Sequence, residues 1–177
     1  MRALRRSTVI SVLAAFCAAA AVITSQPAGA SPYGYQEIIN RQTSECLTVG
    51  DASNGPFFVG QNVRIWTCVG VNGQAWRVHG YLDSNNQPYF KYSPATADGV
   101  LCLDVAQAST NDGANILLGA CTSSLSQRFR EITVVNSDGF TWVELRNVGS
   151  GKCADKAYWN VVQWTCWDPW WQQWRFF

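Results

Sequence analysis

Short apolar segments alternate with polar, turn-forming segments along most of this chain. Segments such as NVRIWTC, VLCLDV, NILLGAC and TWVELRN are rich in β-branched and aromatic residues and have the length of β-strands. The stretches between them, including DASNGP, DSNNQP and TNDG, contain the residues that favour turns. No helical period is sustained beyond residue 30. The pattern therefore predicts an all-β domain.

The N-terminal segment has a different pattern. It begins with the basic MRALRR, continues with an apolar, alanine-rich run and ends in AGA. This arrangement predicts a secretory signal peptide over residues 1–30, cleaved before Ser31, and thus an extracellular protein. A membrane anchor is the alternative, but the apolar run is short and polar sequence follows it. Residues 31–177 have the length of one domain.

The charge of the predicted domain argues against two classes of partner. Three of the thirteen basic residues lie in the signal segment, so ten basic and twelve acidic residues remain, giving a net charge of −2. No run of like charge occurs. Nucleic acid and anionic membranes require clustered lysine and arginine, so neither is expected as the main partner.

A repeated motif divides the domain into three. The pattern Q-x-[W/F]-R occurs at residues 74–77, 127–130 and 172–175, each time beginning six residues after a cysteine. The repeats extend over about residues 35–80, 88–134 and 140–177, and each contains about four strand-like segments. We therefore predict about twelve short strands with approximate threefold symmetry.

Six cysteines lie beyond the signal segment, and an even number in an exported protein predicts disulfides. Count alone leaves fifteen pairings open. The cysteines fall into successive pairs separated by 22, 19 and 13 residues, namely Cys46 and Cys68, Cys102 and Cys121, and Cys153 and Cys166.

Three Cys…Cys…Q-x-W units resemble the ricin-B-type lectin family of β-trefoil carbohydrate-binding modules. The resemblance covers the chain from Tyr35 onward. It implies a disulfide within each repeat, between the two cysteines of each successive pair. It also implies that the motif aromatics Trp76, Phe129 and Trp174 pack in the core while the preceding glutamine tethers a turn.

The family resemblance also implies where a sugar would bind. In such lectins a carboxylate lies two residues after the first cysteine and an aromatic ring two residues before the second, with further polar contacts from the motif glutamine and the residue before it. Residues two apart on a strand share a face, and the disulfide would hold the two strands together. In the third repeat these positions are Asp155, Trp164, Gln172 and Trp171, where the tryptophan replaces an expected asparagine.

The other two repeats lack one part of this template. The second has Asp104 and Gln127, but Gly119 stands at the ring position. The first has Trp66 and Gln74, but Thr48 stands at the acid position, where Asp51 could substitute only if the turn bends back. We therefore expect the best sugar site in the third repeat.

Two features of the third repeat leave its specificity open. Its cysteines are the closest together, so the loop that would wall one side of the pocket is short, and Tyr158 and Trp159 are candidates either for replacement walls or for ordinary packing. Trp167, Trp170 and Trp171 have no counterparts in the other repeats. They are interpreted as an apolar rim of the sugar site or as a partner interface.

We expect no catalytic residues, metal site or cofactor. The chain has one histidine, His79, no free thiols are expected, and Asp112 is interpreted as a turn residue. The leading hypothesis is a secreted, non-enzymatic carbohydrate-binding module for an oligo- or polysaccharide. The alternative is a secreted-protein-binding β-trefoil, such as a protease inhibitor or a targeting subunit, with decayed sugar pockets.

Overall fold

A computed structural model describes residues 34–137, 139–167 and 169–177, so the predicted signal peptide lies outside the described residues. The strands are β1 (Ile38–Asn40), β2 (Cys46–Val49), β3 (Val63–Trp66), β4 (Trp76–Leu82), β5 (Pro88–Pro94), β6 (Leu101–Val105), β7 (Ile116–Ala120), β8 (Phe129–Ser137), β9 (Phe140–Asn147), β10 (Cys153–Ala157), β11 (Asn160–Trp164) and β12 (Gln173–Phe176). Short 3-10 helices lie at Asn72–Gln74, Ala95–Ala97, Ala106–Ala108, Leu125–Gln127 and Trp170–Gln172.

Three groups of four consecutive strands build the fold. Ten strands form one antiparallel sheet in the order β10-β11-β3-β2-β1-β12-β9-β8-β5-β4, and β6 pairs with β7 in a second sheet. The second and third strands of each group form a hairpin that carries the first cysteine of its repeat. The all-β architecture with twelve strands is therefore confirmed for the described residues.

The three motif aromatics lie at the centre of the core. Trp76, Phe129 and Trp174 have no exposed surface, which confirms their predicted structural role. The indole Nε1 of Trp76 donates to the Leu47 carbonyl at 2.8 Å, and that of Trp174 donates to the Ala154 carbonyl at 3.0 Å. Each indole therefore fastens its strand to the residue that follows the first cysteine of the same repeat.

Three disulfides join the cysteines that the family resemblance pairs. Cys46 is bonded to Cys68, Cys102 to Cys121 and Cys153 to Cys166. Each bridge ties the start of the hairpin's first strand to the segment that follows its second strand. The third encloses the shortest loop, with a sequence separation of 13 residues.

An asparagine ring joins the three hairpins. Asn62 donates to Asn160 at 2.8 Å, Asn160 to Asn115 at 2.9 Å, and Asn115 to Asn62 at 2.6 Å, all between side-chain amides. Each asparagine lies six residues before the second cysteine of its repeat. One residue from every repeat thus contributes one donor and one acceptor to a closed cycle.

Within the described part of the chain, no helix is both long enough and apolar enough to cross a membrane.

Candidate functional site

The three motif glutamines occupy equivalent buried positions. Gln172 accepts a hydrogen bond from the Trp167 backbone N–H at 3.1 Å and donates to the Thr165 carbonyl at 3.1 Å and to Asp155 Oδ2 at 2.7 Å. Gln74 and Gln127 bond the corresponding backbone groups and the side chain two residues after the first cysteine. The amides are therefore used within the protein.

This burial corrects one expectation. Gln74, Gln127 and Gln172 were expected to contact sugar, yet all three are almost completely buried and their amide groups already have protein partners. They tether the turn, as expected, and in addition hold the residue at the acid position. Their role at a sugar site would be to position the carboxylate.

Asp155 presents one carboxylate oxygen that is available to a ligand. The residue lies on β10 and is only 7% exposed. Its Oδ2 accepts the hydrogen bond from Gln172, while Oδ1 accepts none within the described part of the chain. Burial raises the pKa of Asp155 to about 6, the bond from Gln172 opposes this rise, and the charge of Asp112 adds to it. Asp155 is thus an ionised acceptor at neutral pH, with a fixed direction.

Trp164 provides an exposed ring at the end of β11. Trp164 pairs with Cys153 in the β10–β11 ladder, and Asp155 lies two residues after Cys153 on β10. Residues two apart on a strand share a face, so Asp155 and Trp164 lie on the same face of the hairpin. The side chain is 44% exposed. A Cβ placed on Gly113 would lie 3.6 Å from the Trp164 ring, so this glycine lies close to the ring.

A loop from the second repeat supports the tryptophan. Gln163, which precedes Trp164, donates to the Ser109 carbonyl at 2.7 Å and to the Asn111 carbonyl at 2.9 Å. Thr165, which follows Trp164, donates its backbone N–H to Asp112 Oδ1 at 2.7 Å. The ring is therefore held by neighbours on both sides of it in the chain.

Asp112 is a site component that sequence reasoning missed. Its Oδ1 accepts from Lys152 Nζ at 2.6 Å and its Oδ2 from the Thr165 hydroxyl at 3.0 Å. The bond from Lys152, with those from Thr165, lowers the pKa of Asp112. A turn-like sequence, TNDG, hid this role, because the partners belong to the next repeat and lie 40 and 53 positions away.

The additional tryptophans separate into two groups. Trp167 and Trp171 meet edge to face, with ring centroids 5.4 Å apart. Trp170 instead stacks with the Arg41 guanidinium, whose carbon lies 4.9 Å from the ring centroid. Arg41 also stacks on Trp142, at 5.3 Å. Trp170 is thus associated with Arg41 and Trp142 rather than with the Trp167–Trp171 pair.

The second repeat has its acid but has glycine at the ring position. Asp104 Oδ2 accepts from Gln127 at 2.8 Å, while Oδ1 is buried and has no hydrogen-bond partner among the described residues. A Cβ on Gly119 would lie 2.2 Å from Asp104 Oδ2, which explains the glycine at the ring position. The second repeat therefore lacks the aromatic platform, and of the two Asp104 oxygens one is bonded to Gln127 and the other is buried.

The first repeat has its ring but has a buried threonine at the acid position. Thr48 is completely buried, donates to the Cys46 carbonyl at 2.7 Å and accepts from Gln74 at 3.1 Å. The Arg64 guanidinium carbon lies 4.8 Å from the Trp66 ring centroid, and the same guanidinium forms an ion pair with Asp51. Asp51 therefore pairs with an arginine that stacks on the platform.

Two groups of side chains have the proximity of metal ligands among the described residues, and each combines one glutamate with two cysteines. Both cysteine pairs are disulfides, and a disulfide offers no thiolate to a metal. The groups are Glu37 with Cys46 and Cys68, and Glu144 with Cys153 and Cys166. They are therefore structural, and the absence of a metal or cofactor stays a prediction.

Comparison with known proteins supports the architecture. ThreeFoil, a designed 3-fold symmetric protein, is 29% identical to this chain over 81% of it and 97% of ThreeFoil, with a TM-score of 0.67. The exo-beta-1,3-galactanase 1,3Gal43A from Clostridium thermocellum is 19% identical over 81% of this chain and 30% of the enzyme, with a TM-score of 0.65. A Polyporus squamosus lectin is 16% identical over 81% of this chain and 48% of the lectin, with a TM-score of 0.62.

The chain thus spans less than half the length of the latter two proteins. No curated protein has a significantly similar sequence. The sequence profile described as ricin-type beta-trefoil lectin domain-like matches residues 25–119, which is more than half of the chain. The protein therefore belongs to the ricin-type β-trefoil lectin domain-like family.

Proposed function

We propose that this protein is a secreted, non-enzymatic carbohydrate-binding module whose sugar site lies in the third repeat. The observation that carries the proposal is the pairing of Asp155, with its free Oδ1, and the exposed ring of Trp164 on one face of a disulfide-bridged hairpin. Among the described residues, the second repeat has glycine at the ring position, and the first repeat has the completely buried Thr48 at the acid position.

The chemistry of the pair suits a sugar. A sugar hydroxyl would donate to Asp155 Oδ1, forming a charge-assisted hydrogen bond in a partly desolvated setting. The C–H face of the same sugar would pack on the Trp164 indole ring, whose exposed area offers an apolar platform. Gln172 and the Asp112 loop would keep the acceptor and the platform in place, which lowers the entropy lost on binding.

The family and its structural neighbours support a saccharide as the partner. The Polyporus squamosus lectin is bound to Neu5Aca2-6Galb1-4GlcNAc, and the neighbour SeviL is bound to asialo-GM1 saccharide. One shallow site would bind with a dissociation constant on the order of millimolar to tens of micromolar. Retention on a surface would then depend on repeated sites along a polymer.

A glycan array probed with the purified secreted protein tests the site. We expect binding to at least one glycan, and loss of that binding in Asp155→Ala and in Trp164→Ala. Asp104→Ala is the matched control for the acid, because Gln127 holds Asp104 as Gln172 holds Asp155. Full binding by both third-repeat variants, or equal loss in the control, would contradict the proposed site.

The arrangement of carboxylates supports a role without catalysis. Asp112 is the acidic residue whose charge is felt at Asp155, and both of its oxygens already accept hydrogen bonds from Lys152 and Thr165. These bonds give Asp112 a structural task in supporting the segment around Trp164, and we assign it no catalytic role. Release of reducing ends from the glycans that bind, by the pure protein, would contradict this part of the proposal.

Secretion is supported by the three disulfides, which persist in an oxidising compartment. Together with the signal pattern of residues 1–30, they predict that the protein recovered from the culture medium begins at Ser31. N-terminal sequencing checks this, and an uncleaved, cell-retained protein would contradict it.

A protein-binding β-trefoil is the second candidate. The observation that favours it is the exposure of Trp167 and Trp170, since tryptophan is enriched in interface hot spots. Under this hypothesis the glycan array would be empty, and the immobilised protein would retain a secreted protein that a Trp170→Ala variant does not. Glycan binding that depends on Asp155 would favour the first candidate.

A further inference from the structure

The tip of the β10–β11 hairpin departs from the usual chemistry of tight turns. Ala157 pairs with Asn160, so the loop consists of Tyr158 and Trp159 alone. Tyr158 has a φ of 57°, in the left-handed region where two-residue hairpin loops normally carry glycine or asparagine. For a bulky aromatic residue this conformation is strained. The local sequence therefore does not favour the turn that it forms.

Packing does not account for these two aromatic residues. Tyr158 is 87% exposed and Trp159 is 72% exposed. Within the described part of the chain, neither side chain has a hydrogen bond, ion pair or ring contact. These two large exposed aromatic residues add no packing that would offset the strain of the turn. An unfavourable local conformation without a compensating contact indicates a functional role for the residues.

The tip lies beside the first repeat's exposed ring. Asn160 pairs with Arg64 across the β11–β3 ladder, and the Ile65 backbone N–H donates to the Trp159 carbonyl at 2.9 Å. The antiparallel register then brings Tyr158 towards Trp66, which is 43% exposed. The backbone pairing therefore places the aromatic tip of the third repeat next to the strand that carries the first repeat's exposed ring.

This aromatic group extends away from the third-repeat site. Trp164 lies four residues along β11 from Asn160, which corresponds to roughly 13 Å at about 3.3 Å per residue. That span exceeds a single pyranose ring. Asp155 lies between the two ends, two residues before Ala157, which ends β10. The hairpin thus carries an acceptor with aromatic groups on both sides of it.

We propose that Tyr158, Trp159 and Trp66 form a second stacking surface for further units of the same glycan, so that the ligand is a saccharide chain rather than a single terminal sugar. This inference rests on the proposed function of the third repeat. Stacking tolerates different sugars, because every pyranose presents C–H groups. The tip would therefore add affinity with chain length, while the Asp155 position holds one unit.

Length ladders of neutral and acidic glycans, from monosaccharide to octasaccharide on one array, test the inference. For the wild-type protein we expect affinity to rise with length. Tyr158→Asn and Trp159→Ala should each weaken the longest ligands by about 2- to 10-fold and leave the monosaccharide signal unchanged. Tyr81→Ala is the matched control, because Tyr81 is an exposed aromatic residue on β4, and it should have no effect.

Thermal stability separates this role from a folding defect. Asparagine tolerates the left-handed region better than tyrosine. The Tyr158→Asn variant should therefore melt at the same temperature as the wild type or a higher one, while it binds the longest glycans more weakly. Binding that depends on Asp155 but is flat with length, or unchanged in both tip variants, would overturn this inference and leave the proposed function intact. Binding that is independent of Asp155, or absent from every ladder, would overturn both.

Discussion

Replacing Asp155 with asparagine should make the protein more stable and less able to bind sugar. The carboxyl is 7% exposed, and burial raises its pKa from 3.8 to about 6. A folded protein that holds a carboxyl with a raised pKa is destabilised whenever that carboxyl is ionised. In the Asp155→Asn variant the new side chain could still offer its amide oxygen to Gln172, so the positioning hydrogen bond would be kept.

The size of the effect follows from the pKa difference. One pKa unit corresponds to ~1.4 kcal/mol, so the difference for Asp155 corresponds to about 3 kcal/mol of unfolding free energy above pH 6. The amide N–H of asparagine would be imperfectly solvated at the Oδ1 position, which offsets part of this gain. We therefore expect Asp155→Asn to be about 1 to 2 kcal/mol more stable at pH 7.5.

The sign of the pH dependence gives a sharper test. Well below pH 3.8 the wild-type carboxyl is protonated whether the chain is folded or unfolded, so the gain vanishes and the amide cost alone should leave the variant about 1 to 2 kcal/mol less stable. The stability of the variant relative to the wild type should rise by about 3 kcal/mol between about pH 4 and pH 6 and stay constant above that range. Urea unfolding of both proteins at several pH values measures the gap. A variant that is less stable at pH 7.5, or a gap independent of pH, would refute the reasoning.

Three further outcomes follow from the same contacts. If ionised Asp155 binds the sugar, affinity measured by titration should fall about 10-fold between pH 7.5 and pH 5, because the pKa is about 6; a flat profile would contradict this. Gly119→Ala should lower the free energy of unfolding by about 1 to 3 kcal/mol, because the new Cβ would displace Asp104 from its hydrogen bond; an unchanged melting temperature would be unexpected. Replacing Cys153 and Cys166 with serine should cost roughly 3 kcal/mol by loop entropy and also weaken sugar binding; glycan binding at wild-type strength would show that the bridge does not shape the site.

Sequence pattern predicted those parts of the molecule that depend on spacing within one repeat. Strand segments follow from local alternation and from a unit repeated three times, whereas the cysteine pairing and the burial of the motif aromatics were implied by the family resemblance. The resemblance also supplied the positions of Asp155 and Trp164, and two positions near a shared bridge fall on one face of a hairpin. That these two residues share a face is therefore readable from the sequence once the resemblance is recognised.

Contacts between repeats could not be read in the same way. Asp112 supports the segment around Trp164 across 53 positions, and its own sequence is that of an ordinary turn. The loops between paired cysteines differ in length from repeat to repeat. Sequence spacing therefore does not show which residues of neighbouring repeats lie opposite one another.

The motif glutamines show a different limit. The sequence correctly places Gln172 beside Asp155. It does not show whether the Gln172 amide forms its hydrogen bonds with the protein or with a sugar. Burial decides this, because a side chain without exposed surface cannot reach a ligand. In all three repeats an asparagine lies six residues before the second cysteine. This recurring spacing was a signal that could have revealed the asparagine ring.

The asparagine ring has a consequence for how this fold can be assembled or divided. Asn62, Asn115 and Asn160 each donate to one neighbour and accept from the other, so a chain with only two repeats would leave one partly buried donor and one partly buried acceptor unmatched. A single repeat could close the cycle only as a trimer. Completion of the ring is thus an all-or-none event, and it disfavours any form of this fold in which one of the three repeats is missing.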